Sequence, residues 1–170
     1  MHLSDTDLKI KISTECFILY KEEILLFKRS SESRMFPNFW TAPGGHVDFG
    51  EDILTACIRE VHEEAGIKVN PTETKLKYIA LHNHLDRKEI WSIYGFVVNA
   101  AKRDDIKVDT HEGEAKWIDI KKLDEMDIFP PVKYYLDHVI NKKSGLLYSW
   151  SEWENAKLVK VLKETKDLDY

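Results

Sequence analysis

A mixed β-sheet packed between helices, an α+β or α/β sandwich, is the fold class this chain predicts. Three observations carry the expectation: strand alternation from Leu8 to Tyr20, one well-marked amphipathic helix at 52–65, and further strand runs at 75–83 and 90–99. A length of 170 residues suits one domain with one sizeable core, so residues 1–170 are read as a single domain with helices from about 130 onward.

Each element has its own signal. In "LKIKISTECFILY" (8–20), Ile10, Ile12, Thr14, Cys16 and Ile18 alternate with Lys9, Lys11, Ser13 and Glu15, the period of a strand. "KEE" turns the chain into a second strand, "ILLFKR" (24–29). A polar loop (30–38) leads to a short extended piece, "FWTA", and then to Gly44 and Gly45. The helix at 52–65 ends on Gly66, a C-cap residue, with Pro71 beyond. Strands follow at 75–83, 90–99 and 114–120. "KKLDEM" is a short turn, and "PPVKYYLDHVIN" opens on prolines suited to a helix start. A last helix is expected at 151–166, where Trp153, Leu158, Val161 and Leu162 share one side. Trp150 and Trp153 beside it would either cover the core or form a homodimer contact.

Composition narrows the function. The chain is 43% hydrophobic and 32% charged, which is ordinary for a globular protein. Its longest apolar runs are far too short to cross a bilayer, and "MHLSDTDLK" has no secretory pattern. Cys16 and Cys57 form no zinc-binding or redox motif, so a cytoplasmic protein with two reduced core thiols is expected. A net charge of −5 gives no positive field for a nucleic-acid polymer. An anionic small substrate would therefore need local neutralisation, for which a divalent cation is suited.

The helix at 52–65 supplies the means. Ile53, Leu54, Cys57, Ile58, Val61 and Ala65 make its apolar stripe. Glu60, Glu63 and Glu64, at i, i+3 and i+4, converge on another face and repel one another unless a cation lies between them. Hard carboxylate oxygens in that number suit Mg²⁺ or Mn²⁺. Taken alone, the glutamates read first as a solvated acidic face, and Gly44–Gly45 read well as an ordinary turn.

Spacing decides between these readings. Gly45, five residues, Glu51, seven residues, then "REVHEEAGI" (59–67) resembles the Nudix box, G-x5-E-x7-R-E-U-x-E-E-x-G-U, with every specified position met. Seven fixed polar or glycine positions match by chance at a frequency on the order of 10⁻⁷ or less. The resemblance implies an α/β/α sandwich with a mixed β-sheet, and hydrolysis of a diphosphate linkage in a nucleoside diphosphate joined to another group, with Mg²⁺ or Mn²⁺. It implies that Glu60, Glu63, Glu64 and the carbonyl of Gly45 ligate metal, that Arg59 orients the glutamates, and that Glu51 supports them. A later-loop carboxylate would join them: Glu112 or Glu114, with Glu114 favoured and His111 adjacent.

Arg29 and Trp40 are the remaining substrate candidates, with Phe39 and Trp40 able to stack a base or to pack in the core. His82 and His84, alternating on one strand, read as surface or pocket histidines, and His62 as a solvent-side bystander. Residues 25–45 partly resemble coenzyme A pyrophosphatases through Arg29, Ser30 and Arg34, but Asn38 and Ala42 depart from that pattern. The proline that marks ADP-ribose specificity is absent from "LHNHLD". A nucleoside triphosphate or modified nucleotide therefore leads, with coenzyme A or nucleotide-sugar cleavage, or nucleotide sensing without cleavage, as alternatives.

Overall fold

The computed structural model describes residues 7–33, 36–106, 109–141 and 145–168, with the side chains of 109–110 and 162–168 excepted. Arg34 and the side chain of Leu162 thus lie outside the described residues. Strands β1 (Lys9–Tyr20), β2 (Glu23–Arg29), β3 (Trp40–Thr41) and β4 (Gly44–His46) precede helix α1 (Ile53–Ala65). Strands β5 (Lys75–His84), β6 (Glu89–Asn99), β7 (Asp109–Thr110) and β8 (Gly113–Asp119) follow it. Helix α2 (Pro130–Ile140) and strands β9 (Leu146–Glu154) and β10 (Lys157–Leu168) complete the chain.

All the strands join one mixed sheet ordered β10-β9-β5-β6-β1-β2-β8-β7, with β3 on β2 and β4 on β1. Alternation along β1 and β2 sends side chains to two cores. Cys16, Ile18, Leu25 and Phe27 meet Cys57, Val61 and Ala65 of α1 on one face. Phe17, Leu19, Ile24 and Leu26 meet Val132, Tyr135, Leu136 and Val139 of α2 on the other. This is the expected sandwich. Both cysteines are free and buried. Among the described residues no helix is long and apolar enough to cross a membrane.

Helix α1 starts where Asp52 caps it, its carboxylate accepting from the amides of Leu54 and Thr55 at 3.0 and 3.1 Å. It stops at Gly66, whose left-handed φ of 70° suits a residue without Cβ.

The expected helix at 151–166 is instead a β-hairpin. Asn155 and Ala156 both take positive φ, 48° and 61°, the geometry of a tight two-residue turn that pairs Glu154 with Lys157. Along β9 the inward residues are Leu147, Ser149, Ser151 and Trp153. Two inward serines hide the usual hydrophobic alternation, which is why helical spacing misled. Trp153 is buried while Trp150, on the opposite face, is 42% exposed.

One strand organises the site. At residues 18–20 β1 pairs with β2, but at 13–15 it pairs with β4 instead. The sheet parts there, and a cleft of about 700 Å³ opens between α1, β4 and the α2 face.

Candidate active site

Strand β4 divides the cleft, because successive residues point to opposite faces. Gly45 lies toward α1, so close that a Cβ there would come within 2.4 Å of Glu60 Oε1. Its neighbour His46 lies toward the α2 face, with its ring 5.2 Å from Trp91.

On the α1 side Arg59 is the hub. Its Nε and Nη2 donate to the two oxygens of Glu51 at 3.0 Å each, a bidentate fork. Its Nη1 donates to Glu60 Oε1 at 2.9 Å and Glu63 Oε2 at 3.0 Å, and Nη2 also reaches the carbonyl of His46 at 3.1 Å. One guanidinium thus ties the glycine strand to three carboxylates, and Glu51 above all pushes the Arg59 pKa upward. Arg59 in turn holds the Glu51 carboxyl below its usual range. Glu64 is buried and accepts from the Gly44 amide at 2.9 Å. Burial first, and then the charges of Glu60 and Glu112, push its carboxyl up to about 8 despite that bond. Burial likewise raises Glu60, against the pull of Arg59.

Glu60, Glu63, Glu64, Gly45 and Arg29 all line the cleft. Arg29, at the end of β2, lowers the Glu64 carboxyl by its charge. Two expectations, Glu114 and Trp40, need correction. Glu114 stands outside the cleft, half-exposed and paired with Lys116 Nζ at 2.8 Å, whereas Glu112, at the β7–β8 turn, lines it. The register explains this: Glu114 is opposite Lys28 on a paired strand. Trp40 also stands outside, packed against the α2-side core with Lys28 and Lys116 over its ring. Phe39 meets Phe36 edge-on rather than the cleft. His62 is solvent-exposed, as expected.

The residues fit a hard divalent cation in kind. The donors are all oxygen, Gly45 leaves room that a side chain would fill, and Glu60 and Glu64 carry mutual repulsion that a cation would relieve. Among the described residues no group of three or more His, Cys, Asp or Glu side chains is already gathered as a metal site. Glu60 and Glu63 both accept from Arg59 Nη1.

Sequence reading missed most of the other half of the cleft, which Trp91, Trp153, Phe129 and Glu15 help to line alongside the two expected histidines, His82 and His84. Glu15 accepts a hydrogen bond from the Tyr78 hydroxyl. The available signal was Glu15 itself, a carboxylate in mid-strand just before Phe17.

A family model described as NUDIX domain matches residues 10–138. The chain belongs to the Nudix family. The uncharacterized Nudix hydrolase YvcI of Bacillus subtilis is 27% identical over 79% of this chain and 82% of its own length. An RNA pyrophosphohydrolase of Pelagibacter ubique is 32% identical over 59% of this chain and 72% of its own. The m7GpppN-mRNA hydrolase NUDT17 of Danio rerio is 42% identical, but over only 35% of this chain and 20% of that protein. Among solved structures, the mutator MutT protein of Bacillus halodurans superposes with a TM-score of 0.74, covering 94% of this chain and 99% of that one at 23% identity.

Proposed function

We propose that this chain hydrolyses a diphosphate linkage in a nucleoside diphosphate joined to a second group, with a nucleoside triphosphate or modified nucleotide as the substrate. Residues 1–170 act as a single Nudix unit, a reading supported by one continuous sheet from β1 to β10. The observation that carries the proposal is the Arg59 hub, which holds Glu60 beside Gly45, and Glu63 one turn on, with charge-assisted hydrogen bonds. A structural role alone would not require a buried Glu64 against the Gly44 amide in the same wall.

Mg²⁺ or Mn²⁺ would be held by Glu60, Glu63, Glu64 and the Gly45 carbonyl, where it would lower the pKa of water and screen phosphate charge. The chain's own part is positional. Arg59 keeps the carboxylates in register, Glu51 anchors Arg59, and Arg29 offers a fixed cation to a phosphate oxygen. Glu112 replaces Glu114 as the later-loop carboxylate. The names RNA pyrophosphohydrolase and m7GpppN-mRNA hydrolase among the relatives support this reaction class.

The test is a panel of nucleotides with Mg²⁺, products identified, run beside Glu64→Gln. Wild type should release a nucleoside monophosphate, with pyrophosphate from a triphosphate or a phosphorylated group from a conjugate. The variant should lose at least about 100-fold in kcat. Cleavage of none of the compounds rejects the assignment and favours a sensing module, and equal rates in both proteins reject the role given to Glu64.

A further inference from the structure

The α2 face of the sheet carries a second pattern, visible only through register. Residues opposite one another on β1, β6, β5 and β9 share a face and form rows. One row runs Lys11, Trp91, His82, Ser151, and the next Lys9, Glu89, His84, Trp153. Two rows back, Glu15, Gly95, Tyr78 and Leu147 are in line, where Tyr135 of α2 stacks on Tyr78 at 4.4 Å. The helix covers that end, and the outer rows are left as a floor to the cleft.

The rings of this floor are contiguous. From Tyr135 they continue to His82 (6.2 Å), Trp153 (5.3 Å), His84 (6.4 Å), Trp91 (6.3 Å) and His46 (5.2 Å). His46 is next in sequence to Gly45, so the aromatic floor ends where the carboxylate wall begins. His82 is fixed by Tyr135, whose hydroxyl lies 2.7 Å from Nε2, and burial drives its pKa down to about 3. The ring is therefore neutral at any working pH. His84 Nδ1 lies 2.6 Å from Arg87 Nη2, and because a guanidinium only donates, the neutral imidazole carries its proton on Nε2. Trp153 comes from the β9–β10 hairpin, beyond the residues 10–138 that match the family model.

We propose that this floor is a base-binding subsite, completed by the C-terminal hairpin, in which a nucleobase lies against the half-buried Trp91, with the buried Trp153 backing the floor, while its phosphates pass over β4 to the carboxylate wall. The inference rests on the hydrolase reading and gives that site its specificity element. The floor's charges are paired at its rim, where Lys11 lies 3.5 Å from Glu89 and 4.7 Å from the Trp91 ring, so the rings suit an uncharged flat base, and a purine, with more ring area, is held more tightly than a pyrimidine. Glu15 and Ser13, which also line the cleft, are placed to meet the N–H edge of the base. One Glu15 oxygen accepts from Tyr78, which leaves the other for a ligand.

The experiment is calorimetric titration of the metal-free protein, in chelator, with AMP, UMP and ribose 5-phosphate. Monophosphates lack the scissile linkage, so the result does not depend on turnover. AMP should bind at least about 10-fold more tightly than ribose 5-phosphate, within the range of one stacked base, with UMP between them. Trp91→Leu should reduce the AMP advantage to about 2-fold or less. Trp150→Leu, on the outward face of the same hairpin, should leave it intact, and near-ultraviolet circular dichroism checks folding in both. The proposal is overturned if wild type binds ribose 5-phosphate as tightly as AMP, or if Trp150→Leu acts like a folded Trp91→Leu. Base-dependent binding without cleavage of any nucleotide would leave the subsite standing and remove the hydrolase reading. Cleavage without base dependence would do the reverse.

Discussion

The two sides of β4 solve opposite physical problems. Toward α1, like charges are crowded into one helical turn and held by a single arginine. Toward α2, rings and neutral imidazoles spread across four strands with little net charge among them. A charged wall is organised by directional bonds and is sensitive to the placement of an oxygen. An aromatic floor is organised by register and burial, and responds to whatever changes packing or protonation.

Acid should separate the two most strongly. The folded-state pKa of His82, near 3, lies below the unfolded value near 6.5, so protons favour the unfolded chain. The stability that His82 contributes is present above pH 6.5 and is lost as pH falls toward 3, by up to about 5 kcal/mol. Comparing denaturant unfolding of wild type and His82→Gln from pH 7 to pH 4 measures it: the gap between the two should change steadily across that window. Parallel curves would show that the floor is not buried as described.

Disturbing the charged wall should show in turnover rather than in stability. Gly45→Ala places a methyl 2.4 Å from the present position of Glu60 Oε1, so the carboxylate must move. A displacement of that size should lower kcat by about 100-fold while the base preference of monophosphate binding is retained. Loss of both together would mean that β4 does not divide the cleft.

The smallest effect tests the hairpin. Ala156 has a φ of 61°, where glycine has no Cβ penalty, so Ala156→Gly should stabilise the protein by about 0.5–1 kcal/mol. In the helix expected at 151–166 the same change would destabilise by about 1 kcal/mol. The sign of the shift in chemical denaturation therefore reports which structure the segment adopts.

The same contrast explains what was legible in the sequence. The charged wall is local: Gly45 to Ile67 is one strand, one turn and one helix, so its spacing along the chain is its spacing in space. Arg59, Glu60, Glu63 and Glu64 could be read together for that reason. The floor takes one residue or two from each of several strands distant in sequence, and only pairing registers bring Trp91 beside His82 and His84 beside Trp153. The choice of Glu114 over Glu112 failed at the same level, since Glu114 is fixed within β8 opposite Lys28 while Glu112 stands in the β7–β8 turn that reaches the cleft. The hairpin was hidden by Ser149 and Ser151, which are inward yet polar.

Strand order has a practical corollary. The hairpin hangs from the rest of the sheet along a single seam, β5 against β9, at the opposite end of the order from β2 and β8. Exchanging that terminal ribbon between related proteins would graft a new lip onto an untouched acidic helix, offering engineers a dial for substrate choice that leaves the carboxylate wall alone.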